Sequence, residues 1–142
     1  MPTRADISES AKYEGGHTEL MRAALEGQTE TVQRLLEHGA DVNARDSEGR
    51  TALMFAVVNM HTDSAWSLLE HRADVNARAN DGCTALMLAA SSGEIEIVRG
   101  LLSKGADVSG KFTQTGKTAL MLAEEKEYAD TAELLRASGA EH

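Results

Sequence analysis

Cysteine and aromatic residues are scarce in this 142-residue chain, and each scarcity narrows the possible kinds of protein. The single cysteine, Cys83, cannot form an internal disulfide or a multi-cysteine metal site, so we expect a reducing, cytoplasmic location. Aromatic residues make up 4% of the chain and hydrophobic residues 42%, so a core must consist of Leu, Ala, Val and Met. No apolar run is long enough to cross a bilayer, and we expect no membrane partner.

Positive charge is also scarce. The chain has 14 Lys and Arg against 23 Asp and Glu, a net charge of −9 with neutral histidines. Nucleic-acid affinity comes mainly from Lys and Arg side chains that neutralise phosphates. We therefore expect no nucleic-acid partner, and the length predicts one domain.

Two motifs recur in fixed phase along the chain, at offsets of 33, 33 and 34 residues. The motif Thr-x-Leu-Met begins at Thr18, Thr51, Thr84 and Thr118. The motif that opens Gly-Ala-Asp-Val begins at Gly39, Arg72, Gly105 and Gly139, with substitutions in some copies. The common offsets predict four copies of one structural repeat.

Apolar residues inside each repeat follow a helical period, as Val32, Leu35 and Leu36 show. The Thr of the first motif is placed to cap a helix, and the Gly of the second is placed to end one in the left-handed conformation. We predict helices at roughly 18–25, 28–37, 51–58, 61–70, 84–91, 94–103, 118–125 and 128–137.

These motifs resemble the ankyrin-repeat family, whose pattern runs Gly-x-Thr-Pro-Leu-His, Ala-Ala, Val-x-x-Leu-Leu and Gly-Ala-Asp-Val-Asn-Ala. The family's Pro is Glu or Ala here and its His is Met in all four repeats, which predicts a looser turn before each first helix. The resemblance implies an all-α ankyrin-repeat solenoid of stacked helix-turn-helix units with projecting hairpin-like tips. It predicts a polar N-terminal tail at 1–16 and a single domain at 17–142, with repeats at about 17–45, 46–78, 79–111 and 112–142.

The two ends of the array carry charge at positions that are apolar in the inner repeats. Arg22 stands at the position of Leu88, and Glu124 stands at the position of Ala90. Terminal repeats of a solenoid need such polar faces, so we expect an array complete at four repeats. We expect Arg22 and Glu124 to be exposed and Leu88 and Ala90 to be buried.

No set of side chains in the sequence indicates catalysis, a metal or a cofactor. His38 and His71 share one repeat position, about 8–10 Å apart if their helices pack side by side, which is too far to share a zinc ion. Cys83 has no His in its own repeat, and we expect an exposed, inactive thiol. We predict that the protein is not an enzyme and needs no cofactor.

Binding to another protein is the function that the resemblance implies, through the tips and the concave face. The tips map to residues 45–50 (first tip), 78–83 (second tip) and 111–117 (third tip). Together they carry five cations and three carboxylates, a net charge of +2 that leaves −11 on the rest of the chain. Either the electric field of the three tips orients a partner, or selection acts less on the charge of the tips than on the rest of the chain. The predicted contact residues are Arg45, Ser47, Glu48, Arg50, Arg78, Asn80, Asp81, Lys111, Phe112, Gln114, Lys117 and Trp66.

Two aromatic residues could anchor such a partner. Phe112 lies in the third tip, which is one residue longer than the first, and we expect an exposed ring between Lys111 and Lys117. Trp66 holds a position that is polar in the other repeats, so we expect it to be exposed too. The structural alternatives are that Phe112 folds onto the adjacent tip and that the Trp66 ring lies flat over its neighbours.

Repeat two departs from the others at two turn positions. Met60 and Arg72 replace glycines at places where a left-handed backbone is expected, and we predict that Asn59 takes the left-handed role at the first. The alternatives to a monomeric protein-binding module are a small-ligand sensor in the concave groove and, less favoured, an enzyme or redox protein.

Overall fold

The computed structural model describes residues 16–140, which form eight α-helices and no β-strand. In chain order the helices are α1 (Glu19–Glu26), α2 (Thr29–Glu37), α3 (Ala52–Val58), α4 (Thr62–Glu70), α5 (Ala85–Ser92), α6 (Ile95–Ser103), α7 (Ala119–Glu125) and α8 (Ala129–Ala137). Each repeat contributes one helix pair. The helix bounds predicted from the repeat pattern agree with these to within one residue at each end.

Threonine caps the first helix of every repeat, as the motif predicts. Thr18 has an extended backbone, and its side-chain oxygen accepts a hydrogen bond from the Met21 amide at 3.1 Å. Thr51, Thr84 and Thr118 make the same bond to the third residue of their helices. In repeat one the Met21 sulfur also accepts from the Thr18 amide at 3.4 Å. The turn before each helix thus keeps its side-chain cap although the family's histidine is missing.

The chain divides after Asp74 into two compact bodies, and each holds two stacked helix pairs. In the N-terminal body, α1 packs on α3 and α2 on α4; in the C-terminal body, α5 packs on α7 and α6 on α8. Both cores consist mainly of aliphatic and Met side chains, with Phe55 added in the first and Cys83 in the second. Leu20, Met21, Val32, Leu53 and Leu68 are buried in the first, and Leu86, Met87, Leu101, Leu120 and Leu135 in the second. The composition therefore predicts the core correctly.

The stacking register within each body is defined by a few close side-chain pairs. In the N-terminal body, the Thr29 and Ser64 hydroxyls are 2.9 Å apart, and the Gln33 amide donates to Ser67 Oγ at 3.2 Å. Gly27 lies so close to the His61 ring that a Cβ there would come within 2.6 Å of it. In the C-terminal body, Gly93 lies against the Tyr128 ring in the same way, at 3.0 Å.

Asparagine side chains join the loops of successive repeats inside each body. Asn43 Oδ1 accepts from the Asp74 amide at 2.7 Å, and Asn76 Oδ1 accepts from the Asp107 amide at the same distance. Asn76 also donates to the Gly105 carbonyl at 3.2 Å. The Asn of the Gly-Ala-Asp-Val-Asn motif therefore connects neighbouring repeats.

Left-handed residues end the helices where the sequence places glycine. Gly39, Gly105 and Gly139 have φ of 91°, 91° and 100°. Arg72 has φ of 68°, which confirms the strain expected at this arginine. The prediction for Asn59 is wrong: its φ is −97°, and Met60 itself is left-handed at 60°. Asn59 instead donates its amide to the Leu25 carbonyl, which holds it in the helical turn.

We expect Arg72→Gly to raise the free energy of unfolding by about 0.5–1 kcal/mol, because glycine removes the left-handed strain of a side-chain-bearing residue. The Asn43 amide bonds the main-chain carbonyl of residue 72, and this bond remains possible. Urea unfolding measures the change. The matched control is Gly39→Arg, the reverse exchange at the same repeat position with no atom near its Cβ, which should destabilise by a similar amount. An unchanged or lower stability for Arg72→Gly contradicts the argument.

The charged residues at the two ends of the array differ in exposure. Arg22 is exposed and Ala90 is fully buried, as predicted. Glu124 is not substantially exposed: 27% of its side chain is accessible, and a carboxylate oxygen lies 2.6 Å from an Arg136 guanidinium nitrogen. Leu88 is half-buried although the sequence predicts burial. The Arg136 ion pair draws Glu124 down onto its own repeat.

Candidate functional site

The first tip is organised by Asp46, whose side chain is buried. Its Oδ1 accepts from the amides of Glu48 and Arg50 at 2.9 and 2.8 Å. Its Oδ2 accepts from Arg50 Nε at 2.9 Å and lies 3.2 Å from His17 Nε2. The Asp46 amide donates to the Arg50 carbonyl, which closes the turn. One carboxylate thus fixes both the main chain of this tip and two side chains above it.

Arg50 is consequently part of the scaffold. Besides Asp46, its guanidinium contacts the Glu48 carboxylate at 2.9 Å and lies 5.0 Å from the centre of the Phe55 ring. His17 meets the same ring edge-on at 5.2 Å. The sequence predicts Arg50 as a partner contact, but the Asp46 and Glu48 carboxylates hold its guanidinium within the tip.

Hydrogen bonds lower the pKa of Asp46. Burial alone would raise the pKa of this carboxyl, but the main-chain and side-chain donors of Arg50 and the Glu48 amide outweigh burial. The carboxylate therefore stays charged below the ordinary titration range of aspartate.

The second and third tips are hydrogen-bonded to each other. The Thr113 amide and hydroxyl both donate to the Asp81 carbonyl, at 2.9 and 3.2 Å. Arg78 Nη2 donates to the Lys111 carbonyl at 2.8 Å. Gly82, with φ of 88°, lies against the Lys111 carbonyl oxygen. These contacts join the two tips into one strip that is held largely by main-chain atoms.

The third tip accommodates its extra residue in a wider turn. The Gly116 amide donates to the Phe112 carbonyl, one residue further along than the equivalent bonds Gly82 to Ala79 and Gly49 to Asp46. The Phe112 amide donates to the Lys117 carbonyl. Phe112 is half-buried, so the expectation of a fully exposed ring is wrong; both the amide and the carbonyl of Phe112 are bonded within this turn.

Cys83 contradicts the expectation of an exposed thiol. It is 8% exposed, and its Sγ donates to the Thr84 carbonyl at 3.6 Å. Burial, with a smaller effect of the Asp81 charge, raises the pKa of Cys83 to about 11. The thiol is therefore protonated at neutral pH, which makes it a poor nucleophile. Its apolar contacts give it a role in packing.

The remaining predicted contact residues divide by exposure. Exposed ones are Arg45, Ser47, Glu48, Arg78, Asn80, Asp81, Lys111 and Gln114. Half-buried ones are Arg50, Phe112, Lys117 and Trp66. The expectation of an exposed Trp66 is wrong, and its half-burial favours the alternative of a ring that lies over its neighbours. Lys117 Nζ is 2.8 Å from a Glu125 carboxylate oxygen, which ties the third tip to α7.

An exposed apolar group in the N-terminal body is missing from the predicted contact residues. Leu25, Val58 and Met60 are 36%, 43% and 54% exposed, at the ends of α1 and α3 and in the turn that follows α3. Leu25 and Val58 hold one repeat position that is Ser91 and Glu125 in repeats three and four. This switch from apolar to polar is the signal in the sequence that could have revealed the group.

The histidines that share a repeat position, and the ability of the helices to cross a membrane, can be checked in the part of the chain that the structure describes. Nδ1 of His38 and of His71 lies 2.7 and 2.8 Å from the carbonyl oxygen four residues earlier, so each ring caps the end of its own helix. Residues 16–140 contain no group of three or more His, Cys, Asp or Glu side chains placed to hold a metal ion. Within the same range, every helix is too short or too polar to cross a bilayer.

Comparison with known families agrees with the repeat pattern. A family model described as ankyrin repeats (3 copies) matches residues 3–79 and again residues 77–142. The chain belongs to the ankyrin-repeat family. No curated protein matches the chain. Ankyrin repeats are generally protein–protein interaction modules, and the family is typically non-catalytic.

Proposed function

We propose that this protein is a non-catalytic binding module whose partner protein contacts the second and third tips and the exposed side of the first helices. The observation that carries the proposal is the hydrogen-bonded strip formed by the second and third tips. This strip presents exposed side chains, among them Arg78, Asn80, Lys111 and Gln114, on a backbone that needs little further ordering on binding. A pre-ordered surface loses less entropy when a partner binds.

Two further features support the same assignment. The tips carry a net charge of +2 on a chain of −9, so an acidic partner surface would be attracted to this edge. Leu25, Val58 and Met60 add apolar surface in the N-terminal body, of the kind that protein interfaces bury. A cytoplasmic location remains a prediction from the single cysteine.

We expect Phe112→Ala to weaken partner binding by about 1–3 kcal/mol with little loss of stability, because a half-buried ring at a tip can still insert into a partner. Lys111→Glu should slow association, with an effect that salt reduces. Lys111 is the better charge reversal than Arg50 or Arg78, because those two guanidinium groups hold the tips together.

The experiment is affinity capture from the source organism, followed by binding kinetics of wild type and variants with the captured protein. Arg99→Glu, which makes a charge reversal of the same sign on α6 outside the tips, is the control and should leave association unchanged. If Phe112→Ala lowers the melting temperature but not the affinity, the ring is structural and the contact lies elsewhere. A thermal-shift screen against metabolites tests the small-ligand alternative, since a ligand raises the melting temperature by mass action.

A further inference from the structure

The outer faces of repeats one and four carry four polar side chains that pair with no other residue of the range 16–140. These are Gln28 and Arg34 in repeat one and Glu127 and Glu133 in repeat four, and all four residues are exposed. No hydrogen bond or ion pair joins any of these side chains to another described residue. Gln28 is the N-cap residue of α2, yet its side chain makes no capping bond.

The stacking register seen inside each body shows which of these residues would face each other if two molecules stacked end to end. Inside the two bodies, Gly27 lies against His61 and Gly93 lies against Tyr128. Glu127 holds the position of these glycines in repeat four, and Gln28 holds the position of His61 and Tyr128 in repeat one. Gln33 donates to Ser67. Glu133 holds the position of Gln33 in repeat four, and Arg34 holds the position of Ser67 in repeat one. The register thus places one carboxylate opposite an amide and the other opposite a guanidinium.

The third pair in the register is neutral and small. Thr29 contacts Ser64 inside the N-terminal body. Ala129 holds the position of Thr29 in repeat four, and Thr31 holds the position of Ser64 in repeat one. Ala123, Tyr128, Ala129 and Ala132 line an outer groove of about 500 Å³ between α7 and α8, together with Glu127 and Glu133. Arg136 also lines this groove, but Glu124 neutralises it. The groove therefore combines an apolar lining, which includes the partly exposed Tyr128, with two carboxylates.

We propose that this protein self-associates head to tail, with the α7–α8 face of one molecule on the α1–α2 face of a second copy. Glu133 of one copy pairs with Arg34 of the other, and Glu127 accepts from Gln28. Each molecule carries both faces, so the contact is heterologous, and a bound molecule still offers a free face to a further copy. This contact between two copies buries few apolar groups, so the association is weak, with a dissociation constant on the order of 0.1–1 mM. The protein is therefore monomeric in dilute solution.

The proposal goes beyond partner binding through the tips and uses a different surface. Sedimentation velocity of the full chain over a concentration series, at low and high ionic strength, tests it. The average mass should rise with concentration and fall with added salt. Glu133→Arg and Arg34→Glu should each weaken the association by about tenfold or more, because each places like charges opposite each other.

Charge exchange separates this pairing from other modes of association. An equimolar mixture of Glu133→Arg and Arg34→Glu should associate again, and so should the double variant, because opposite charges face each other once more. Glu70→Arg makes the same charge change at an exposed site on α4, outside both proposed faces, and serves as the control. A wild type that stays monomeric at millimolar concentration overturns the proposal. So does an association that Glu70→Arg weakens equally or that the mixture fails to restore.

Discussion

Replacing Gly82 with alanine should lower the free energy of unfolding by about 2–4 kcal/mol. A Cβ at this residue would come within 2.5 Å of the Lys111 carbonyl oxygen and 3.1 Å of the Thr113 amide nitrogen. Both are main-chain atoms, and the bond from Thr113 to the Asp81 carbonyl holds them in place. The third tip must therefore move away and lose its bonds to the second, while the new alanine is strained at φ of 88°.

Gly116→Ala is the matched control for this substitution. Gly116 lies in the third tip with φ of 71°, and a Cβ there would have no atom within 4 Å, so alanine meets only backbone strain. We expect a loss of about 1 kcal/mol. Urea unfolding followed by circular dichroism measures both variants. Equal losses would show that the close approach of the two tips contributes nothing to stability.

Asp46→Ala should also destabilise by about 2–4 kcal/mol, since it leaves several donors of the first tip without their acceptor. The Glu48 and Arg50 amides and the Arg50 side chain all lose their bonds to this carboxylate. Asp81→Ala is the control in the second tip: this exposed carboxylate accepts from the amide of Cys83. Its removal should cost about 1 kcal/mol or less. A similar loss in both variants would refute the special role of Asp46.

The same carboxylate should make stability depend on pH. The pKa of Asp46 is lower in the folded state than its ordinary value of 3.8, so the unfolded chain binds this proton more tightly. The stabilisation is complete above that ordinary value and disappears as the pH falls through the lowered pKa. Asp46→Asn, which keeps an acceptor oxygen but cannot titrate, should lose less stability than wild type between neutral and acid pH. Urea unfolding of both proteins at a series of pH values measures the difference, and parallel losses would contradict it.

The repeat pattern predicts the fold because the same local signals recur four times. The threonine before each first helix and the glycine after each second helix act within a few residues, so their effect can be inferred directly from the sequence. The left-handed backbone of Arg72 follows from its alignment with Gly39 and Gly105. The alignment also places Met60 at the position of two glycines, whereas the prediction for its neighbour Asn59 rests on residue propensity. The structure shows that the repeat position, not the residue's own preference, sets the backbone there.

The details of the tips could not be predicted, because they depend on contacts between residues far apart in sequence. Nothing near Asp46 indicates that His17 approaches its carboxylate. Turns usually are exposed, which is the basis for expecting an exposed Cys83, but its thiol is buried and bonded to the Thr84 carbonyl. The half-burial of Phe112 depends on how a longer turn closes. The bond between Thr113 and the Asp81 carbonyl joins two repeats and leaves no trace in the pattern of either.

The bonds that join the second and third tips have a consequence for how this surface can evolve. The Asp81 and Lys111 acceptors are main-chain carbonyls, so any residue at these positions supplies the same acceptor. Selection can therefore exchange Lys111 or Gln114 for new recognition while the framework beneath them persists. Conversely, Gly82 and Asp46 are fixed by the framework and cannot drift. Mutational tolerance should therefore be low at Gly82 and Asp46 and high at the exposed side chains of Lys111 and Gln114, so the binding surface can change without a change of architecture.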